Sequence, residues 1–149
     1  MKDAENYLKE HWYATRHIGR LMLDLTLARH AYEQSYEGLS ISAVYEETYT
    51  PTRRKASPVE RSAMLVVDHH RAEVESIERR LQKARHRAAE VEKTVTCAGL
   101  TPRELDYVRM RYFENKRVES VARDLYCSTA TCRRIRKAAL QKVAAHLRG

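Results

Sequence analysis

Six basic side chains and no acidic one follow Ser128, and four of them, Arg133, Arg134, Arg136 and Lys137, fall within five positions. A guanidinium can bond O6 and N7 of guanine bidentately, a threonine methyl can touch that of thymine, and any of these cations can neutralise a phosphate. Assigning Cys132 and Ile135 to the buried side of a helix that starts at Thr129 leaves Thr129, Ala130, Thr131, Arg133, Arg134 and Lys137 on its exposed side. These six are the expected contacts to base edges, with Arg133 and Arg134 the leading pair. Arg109, Arg111, Ser128, Arg136, Lys142 and Arg148 are expected at phosphates. The substrate of such chemistry is double-stranded DNA, whose major groove, about 12 Å wide, admits one helix.

Other chemistry finds little footing. His69 and His70 are adjacent, and successive helical residues point about 100° apart, so the two cannot chelate one ion well; no metal site is expected. Cys97, Cys127 and Cys132 are odd in number and lack CxxC spacing, so they read as free thiols, with neither a disulfide nor zinc. The chain has no glycine-rich phosphate loop, no GxSxG and no recognisable carboxylate pair, so neither catalysis nor a cofactor is expected.

The elements that must position the basic face are helical. The chain has 149 residues, 32% of them charged, with only four Gly and three Pro, a balance that suits long helices and an all-α fold. Charge is placed unevenly: residues 101–149 hold 12 Lys/Arg against 5 Asp/Glu, while residues 1–100 hold 16 against 15. Such a one-sided basic segment is the footprint of a polyanion binder. No apolar run is long enough to cross a bilayer and Met1–Glu5 lacks a signal-like stretch, so a cytoplasmic location without membrane contact is expected.

Apolar positions at heptad spacing, Tyr7, Ala14, Ile18, Leu21, Leu25, Ala28 and Tyr32, predict a first helix over about 3–37, with His11 out of pattern. It should stop near Gly38, and residues 38–57, which include Pro51 and the basic triplet Arg53-Arg54-Lys55, read as a loop. Ser57-Pro58-Val59-Glu60 is a capping box that opens a second helix over about 58–96. Its stripe runs Val67, Val74, Ile77, Leu81, Ala84, Ala88, Val91 and Val95. Two such stripes are buried most economically by an antiparallel hairpin about 50 Å long. Trp12, Tyr13 and Met22 would remain on its flanks, so a homo-oligomer, with a dimer favoured, is expected. Residues 1–97 are thus assigned to oligomerisation or partner binding and 98–149 to a DNA-binding domain.

Within 98–149, Thr101-Pro102-Arg103-Glu104 is a further capping box, and Leu105, Val108, Met110 and Tyr112 carry a helix to about Glu114. Asn115-Lys116-Arg117 breaks it. A short helix, Val118 to Leu125, places Val121, Ala122 and Leu125 inward; a turn at Tyr126-Cys127-Ser128 follows, with Ser128 able to cap the long helix Thr129 to about Leu147. This is the layout of a helix-turn-helix. Tyr126 stands where many such modules carry glycine at positive φ, so strain or a different turn is expected there.

Leu100-Thr101-Pro102-Arg103-Glu104, Val108-Arg109-Met110-Arg111, Ile135, Ala139-Leu140 and Lys142 resemble, in order, the promoter-binding fourth region of bacterial primary sigma factors. The resemblance implies that Thr129, Ala130, Arg133 and Arg134 read bases, although Ala130 replaces an acidic residue of that family. A helical N-terminal part followed by such a module resembles phage late-gene transcription regulators of the ArpU/RinA type. That resemblance implies a phage or prophage activator that binds near a late promoter and works with host RNA polymerase. The alternatives are a small terminase-like subunit recognising a packaging site, and a helical interaction protein with a basic anchor.

Overall fold

The computed structural model of the chain describes the backbone of residues 1–46 and 58–149 and the side chains of 1–38 and 58–149. The Arg53-Arg54-Lys55 triplet and the expected cap at Ser57 lie outside the described residues. All regular structure among the described residues is helical: α1 (Lys2–Glu46), α2 (Pro58–Cys97), α3 (Pro102–Val108), a π-helical turn (Arg109–Phe113), α4 (Val118–Asp124) and α5 (Thr129–His146). None of these helices is long and apolar enough to cross a membrane.

α1 does not end at Gly38, as expected, but continues to Glu46. One glycine costs about 1 kcal/mol relative to alanine inside a helix, too little to stop it alone. The following Leu39-Ser40-Ile41-Ser42-Ala43-Val44 contains no proline to block propagation.

Two compact units form, and they do not divide at residue 97. The first combines Met1–Ile18 with Lys83–Gly149, and the second is Gly19–Gln82. The reason lies in what buries what. Ala4 and Leu8 of α1 and Val91 and Val95 of α2 share one core with Tyr107, Val108, Tyr112, Val121, Ala122, Cys132, Ala139, Leu140, Val143 and Ala144. The three short helices are too small to bury Tyr107 and Val108 by themselves, and the ends of α1 and α2 supply the missing wall. Cutting the chain at residue 98 would therefore expose that core.

In the first unit Tyr7 meets Thr94 at 2.9 Å and Glu10 accepts from Arg87 Nε at 2.6 Å, so α1 and α2 run in opposite directions there. His11 belongs to the buried stripe after all, 7% exposed. Its Nε2 lies 2.8 Å from a Glu92 carboxylate oxygen and its ring stacks on Phe113, centroids 3.7 Å apart. A hydrogen bond at Nε2 and a ring stack hold the imidazole where an aliphatic residue would otherwise fit, although its buried Nδ1 has no partner among the described residues, and a hydropathy pattern misses such a residue. In the second unit Leu21, Leu25 and Ala28 of α1 are buried, as are Val67, Ile77 and Leu81 of α2, and Arg29 bonds Glu78 at 2.8 Å.

Local chemistry sets the ends of the short helices. Gly99, at φ +65°, turns the chain after α2. Thr101 and Glu104 form the expected capping box, with the Thr101 N–H donating to the Glu104 carboxylate at 2.8 Å. The helix expected to reach Glu114 does so through the π-helical turn, closed by Glu114 N–H to Arg109 C=O at 2.9 Å. Asn115, at φ +55°, then reverses the chain, a conformation asparagine tolerates better than most residues.

α4 ends in a Schellman motif: Cys127 N–H bonds Ala122 C=O at 2.9 Å and Tyr126 N–H bonds Arg123 C=O at 3.1 Å. The left-handed residue between them is Tyr126, at φ +50° and 95% exposed. The side chain packs on almost nothing, so it does not compensate a backbone strain of about 1–2 kcal/mol. Glycine would relieve the strain and lose roughly 0.4–1 kcal/mol through greater unfolded-state freedom. Tyr126→Gly is thus expected to raise stability by up to about 1 kcal/mol, read as a higher urea midpoint with an unchanged slope. A lower midpoint would mean that Tyr126 is held by contacts stronger than its strain.

Candidate nucleic-acid interface

α5 is fixed along one side and bare along the other. Cys132, Ala139, Leu140, Val143 and Ala144 are buried against α3, α4 and the ends of α1 and α2. Ala122 of α4, only 4% exposed, lets the two helices approach. Ser128 caps α5: its Oγ accepts from the Thr131 N–H at 3.1 Å and lies 2.9 Å from Thr131 Oγ1. No acidic residue occupies the first turn, so the helix dipole and the following cations add with the same sign.

Of the residues expected at base edges, Thr129, Ala130, Arg133, Arg134 and Lys137 are exposed together on this bare side, and Thr131 is half-buried beside its cap. The residues expected at phosphates separate into groups. Arg109 and Arg148 are exposed, and Arg148 Nε also donates to Ala144 C=O at 3.2 Å. Arg111 donates to Lys116 C=O at 2.8 Å, which ties down the break after the π-helical turn. Ser128 is occupied by its capping role.

Arg136 and Lys142 are committed within the molecule. Arg136 bonds Glu5 at 2.6 Å, across 131 positions of sequence, and Lys142 bonds Glu104 at 2.7 Å. Glu104 thus caps α3 and anchors α5 at once, while Glu5 docks the first turns of α1 onto α5. Both cations stabilise the platform, and contact with a phosphate would have to compete with a short, partly desolvated ion pair. Sequence reasoning missed both carboxylates as tethers. Glu104 carried a local signal only for its capping role, and a pair 131 positions apart leaves no periodic trace.

Burial works against ionisation of Glu5 and Glu104, yet hydrogen bonds from Arg136 and Lys9 hold Glu5 below the ordinary glutamate range, and those from Lys142 and Thr101 do the same for Glu104. A carboxylate with a depressed folded pKa contributes stability that is complete above its unfolded value, near 4.5, and is lost as pH falls through the folded value. Stability should therefore decline as pH drops from about 5 toward 3. In Glu5→Gln plus Glu104→Gln that decline should flatten while stability at pH 7 falls, as followed by urea unfolding at a series of pH values. An equally steep acid decline in the double variant would place the responsible carboxylates elsewhere.

Tyr107 is the largest fully buried side chain in this core, packing edge-on to Tyr112 with centroids 6.4 Å apart. Burial pushes the Tyr107 phenol up to about 12 and shifts Tyr112 in the same direction. Neither tyrosine was singled out as the centre of the core, because a phenol reads as amphipathic in a hydropathy pattern. Cys127 and Cys132, which no motif spacing joins, stand with their sulfurs 3.4 Å apart behind the exposed face.

His69 and His70 have ring centroids 5.7 Å apart, and among the described residues no cluster of three or more His, Cys, Asp or Glu is placed to hold a metal ion. What the arrangement offers is a rigidly mounted helix whose first three turns present two arginines, a lysine and two small polar or apolar residues to solvent. Comparison of the chain with family models, curated proteins and solved structures found no match.

Proposed function

We propose that the chain is a sequence-specific double-stranded DNA-binding transcription regulator, a phage or prophage late-gene activator that acts with host RNA polymerase. One observation carries the DNA-binding part: Thr129, Ala130, Arg133, Arg134 and Lys137 are exposed side by side at the start of α5, the longest of the helices after α2, while its opposite side is buried. In this reading α4, the Tyr126–Ser128 turn and α5 act as a helix-turn-helix, with α5 in the major groove. Arg133 and Arg134 read bases, Thr129 and Ala130 make close contact at the groove floor, and Arg109 and Arg148 set the register on the phosphates. The activator role and the polymerase partner rest on the sigma-like motifs of residues 100–142 together with the helical part that precedes them.

The test is binding of the full chain to duplex fragments tiling its source genome, at two salt concentrations. A discrete site, bound much more tightly than random duplex and weakening steeply with salt, is the expected result. Uniform weak binding everywhere would leave α5 an electrostatic anchor and overturn specific recognition.

Self-association belongs to the same proposal and is supported by the second unit. Met22, Leu23 and Leu27 of α1 and Val59, Met64, Leu65 and Val66 of α2 are all about half exposed or more. Large apolar side chains at this density on paired helices suit burial against a second copy, which would give two reading helices for two half-sites. Leu23→Glu plus Leu27→Glu is expected to shift sedimentation equilibrium to the monomer, and an unchanged mass would rule out this face as the contact.

A further inference from the structure

We propose that Cys127 and Cys132 form a dithiol modification site that a two-electron oxidant such as hydrogen peroxide converts to an intramolecular disulfide. The site is independent of whether the chain binds DNA. Its basis is a contact that sequence spacing does not advertise: the two sulfurs are 3.4 Å apart although the residues are five positions apart across a helix start. The Schellman turn makes this possible. Tyr126 at φ +50° reverses the chain, and the Cys127 N–H reaches back to Ala122 C=O, which brings the turn over the junction of α4 and α5 where Cys132 is buried.

The two thiols differ in access. Cys127 is half-buried and can meet a small oxidant, whereas Cys132 has no exposed surface and its sulfur faces Cys127. In the first step the Cys127 thiolate attacks one oxygen of the peroxide, the O–O bond breaks, and Cys127 becomes a sulfenic acid as hydroxide leaves and is protonated to water. In the second, the Cys132 sulfur attacks the Cys127 sulfur, the S–O bond breaks, and the departing hydroxide leaves as water with the proton that Cys132 gives up. Two thiols lose two electrons and two protons in total, and one peroxide is reduced to two waters.

The sulfurs must close from 3.4 Å to a bond of about 2.0 Å, a movement small enough for the side chain of a turn residue. Burial, with Cys127 beside it, pushes the Cys132 thiol up to about 11, so the second step should quicken as pH rises. Cys97, exposed at the end of α2, has no such neighbour among the described cysteines and serves as an internal comparator.

The experiment treats the full chain with graded hydrogen peroxide, then alkylates the remaining thiols in denaturant and measures intact mass and the mass of the peptide spanning Arg123 to Arg133. The expected result is concerted loss of both Cys127 and Cys132 from the alkylatable pool, with a mass decrease of two hydrogen atoms in that peptide, restored by dithiothreitol. Cys127→Ser should abolish the decrease while leaving the buried Cys132 unmodified, and this variant keeps the core sulfur in place, so folding is not at stake. Two outcomes would overturn the proposal: Cys127 and Cys132 both remaining alkylatable at doses that consume Cys97, or oxygen addition to Cys127 without the linked species.

Discussion

Alanine at both Arg133 and Arg134 is expected, on the proposed DNA-reading role, to erase discrimination between the cognate site and random duplex while leaving the fold intact. Both side chains are exposed, so their removal should change stability by no more than about 0.5 kcal/mol. Each bidentate guanine contact discriminates by about 1–3 kcal/mol, so the pair should cost roughly 30-fold to 20,000-fold in specific affinity. Arg109→Ala provides the contrast: it should weaken all duplexes alike and lower the slope of log affinity against log salt by about 0.9. Fluorescence anisotropy with cognate and scrambled duplexes separates the two patterns. A double variant that still prefers its site would transfer base reading to other residues and remove the reason for assigning it to α5.

Tyr107→Ala is expected to cost about 3–5 kcal/mol, enough to bring a domain at the lower end of ordinary stability close to its unfolding point. The side chain is fully buried, and its removal opens a cavity in the core shared by α3, α5 and the ends of α1 and α2. Tyr107→Phe should be neutral or slightly stabilising. The hydroxyl is buried without a hydrogen-bond partner among the described residues, so deleting it sheds a desolvated polar group at no loss of packing. Urea unfolding of the two variants decides the matter. A cost above about 1 kcal/mol for phenylalanine would show that the hydroxyl is satisfied, by solvent or otherwise.

Features set by neighbours along the chain were legible in the sequence. The stripe of α2 buries Val67, Ile77, Leu81, Ala84, Ala88, Val91 and Val95 as its spacing predicts, and the caps at Thr101 and Ser128 form with the residues that the motif requires. The strain expected at Tyr126 has its counterpart in a positive φ. Features set by distant partners were not legible. Glu5 reads as an ordinary first-turn acid, and only the fold shows that it meets Arg136. The phosphate assignment of Arg136 and Lys142 treated every cation near α5 as free, whereas two of them are held by carboxylates. The division at residue 97 took a change in charge and pattern for a boundary in packing, and the core crosses it. Gly38 reads as a stop signal, but one glycine costs a helix too little to end it, and no proline follows before Glu46.

The placement of Ala4, Glu5 and Leu8 against α5 has a consequence for the order of folding. During synthesis these residues leave the ribosome long before Arg136, Leu140 and Val143 exist, so the earlier segment must wait for the later one before either is buried. Contacts of such separation raise the contact order of an otherwise local, helical protein, and loop closure over that distance slows the step that forms them. Helices α1 and α2 can pair early along the second unit, where partners such as Arg29 and Glu78 lie nearer in sequence. The basic face of α5 would then be assembled after that pairing, when α5 closes on the much earlier segment that holds Glu5.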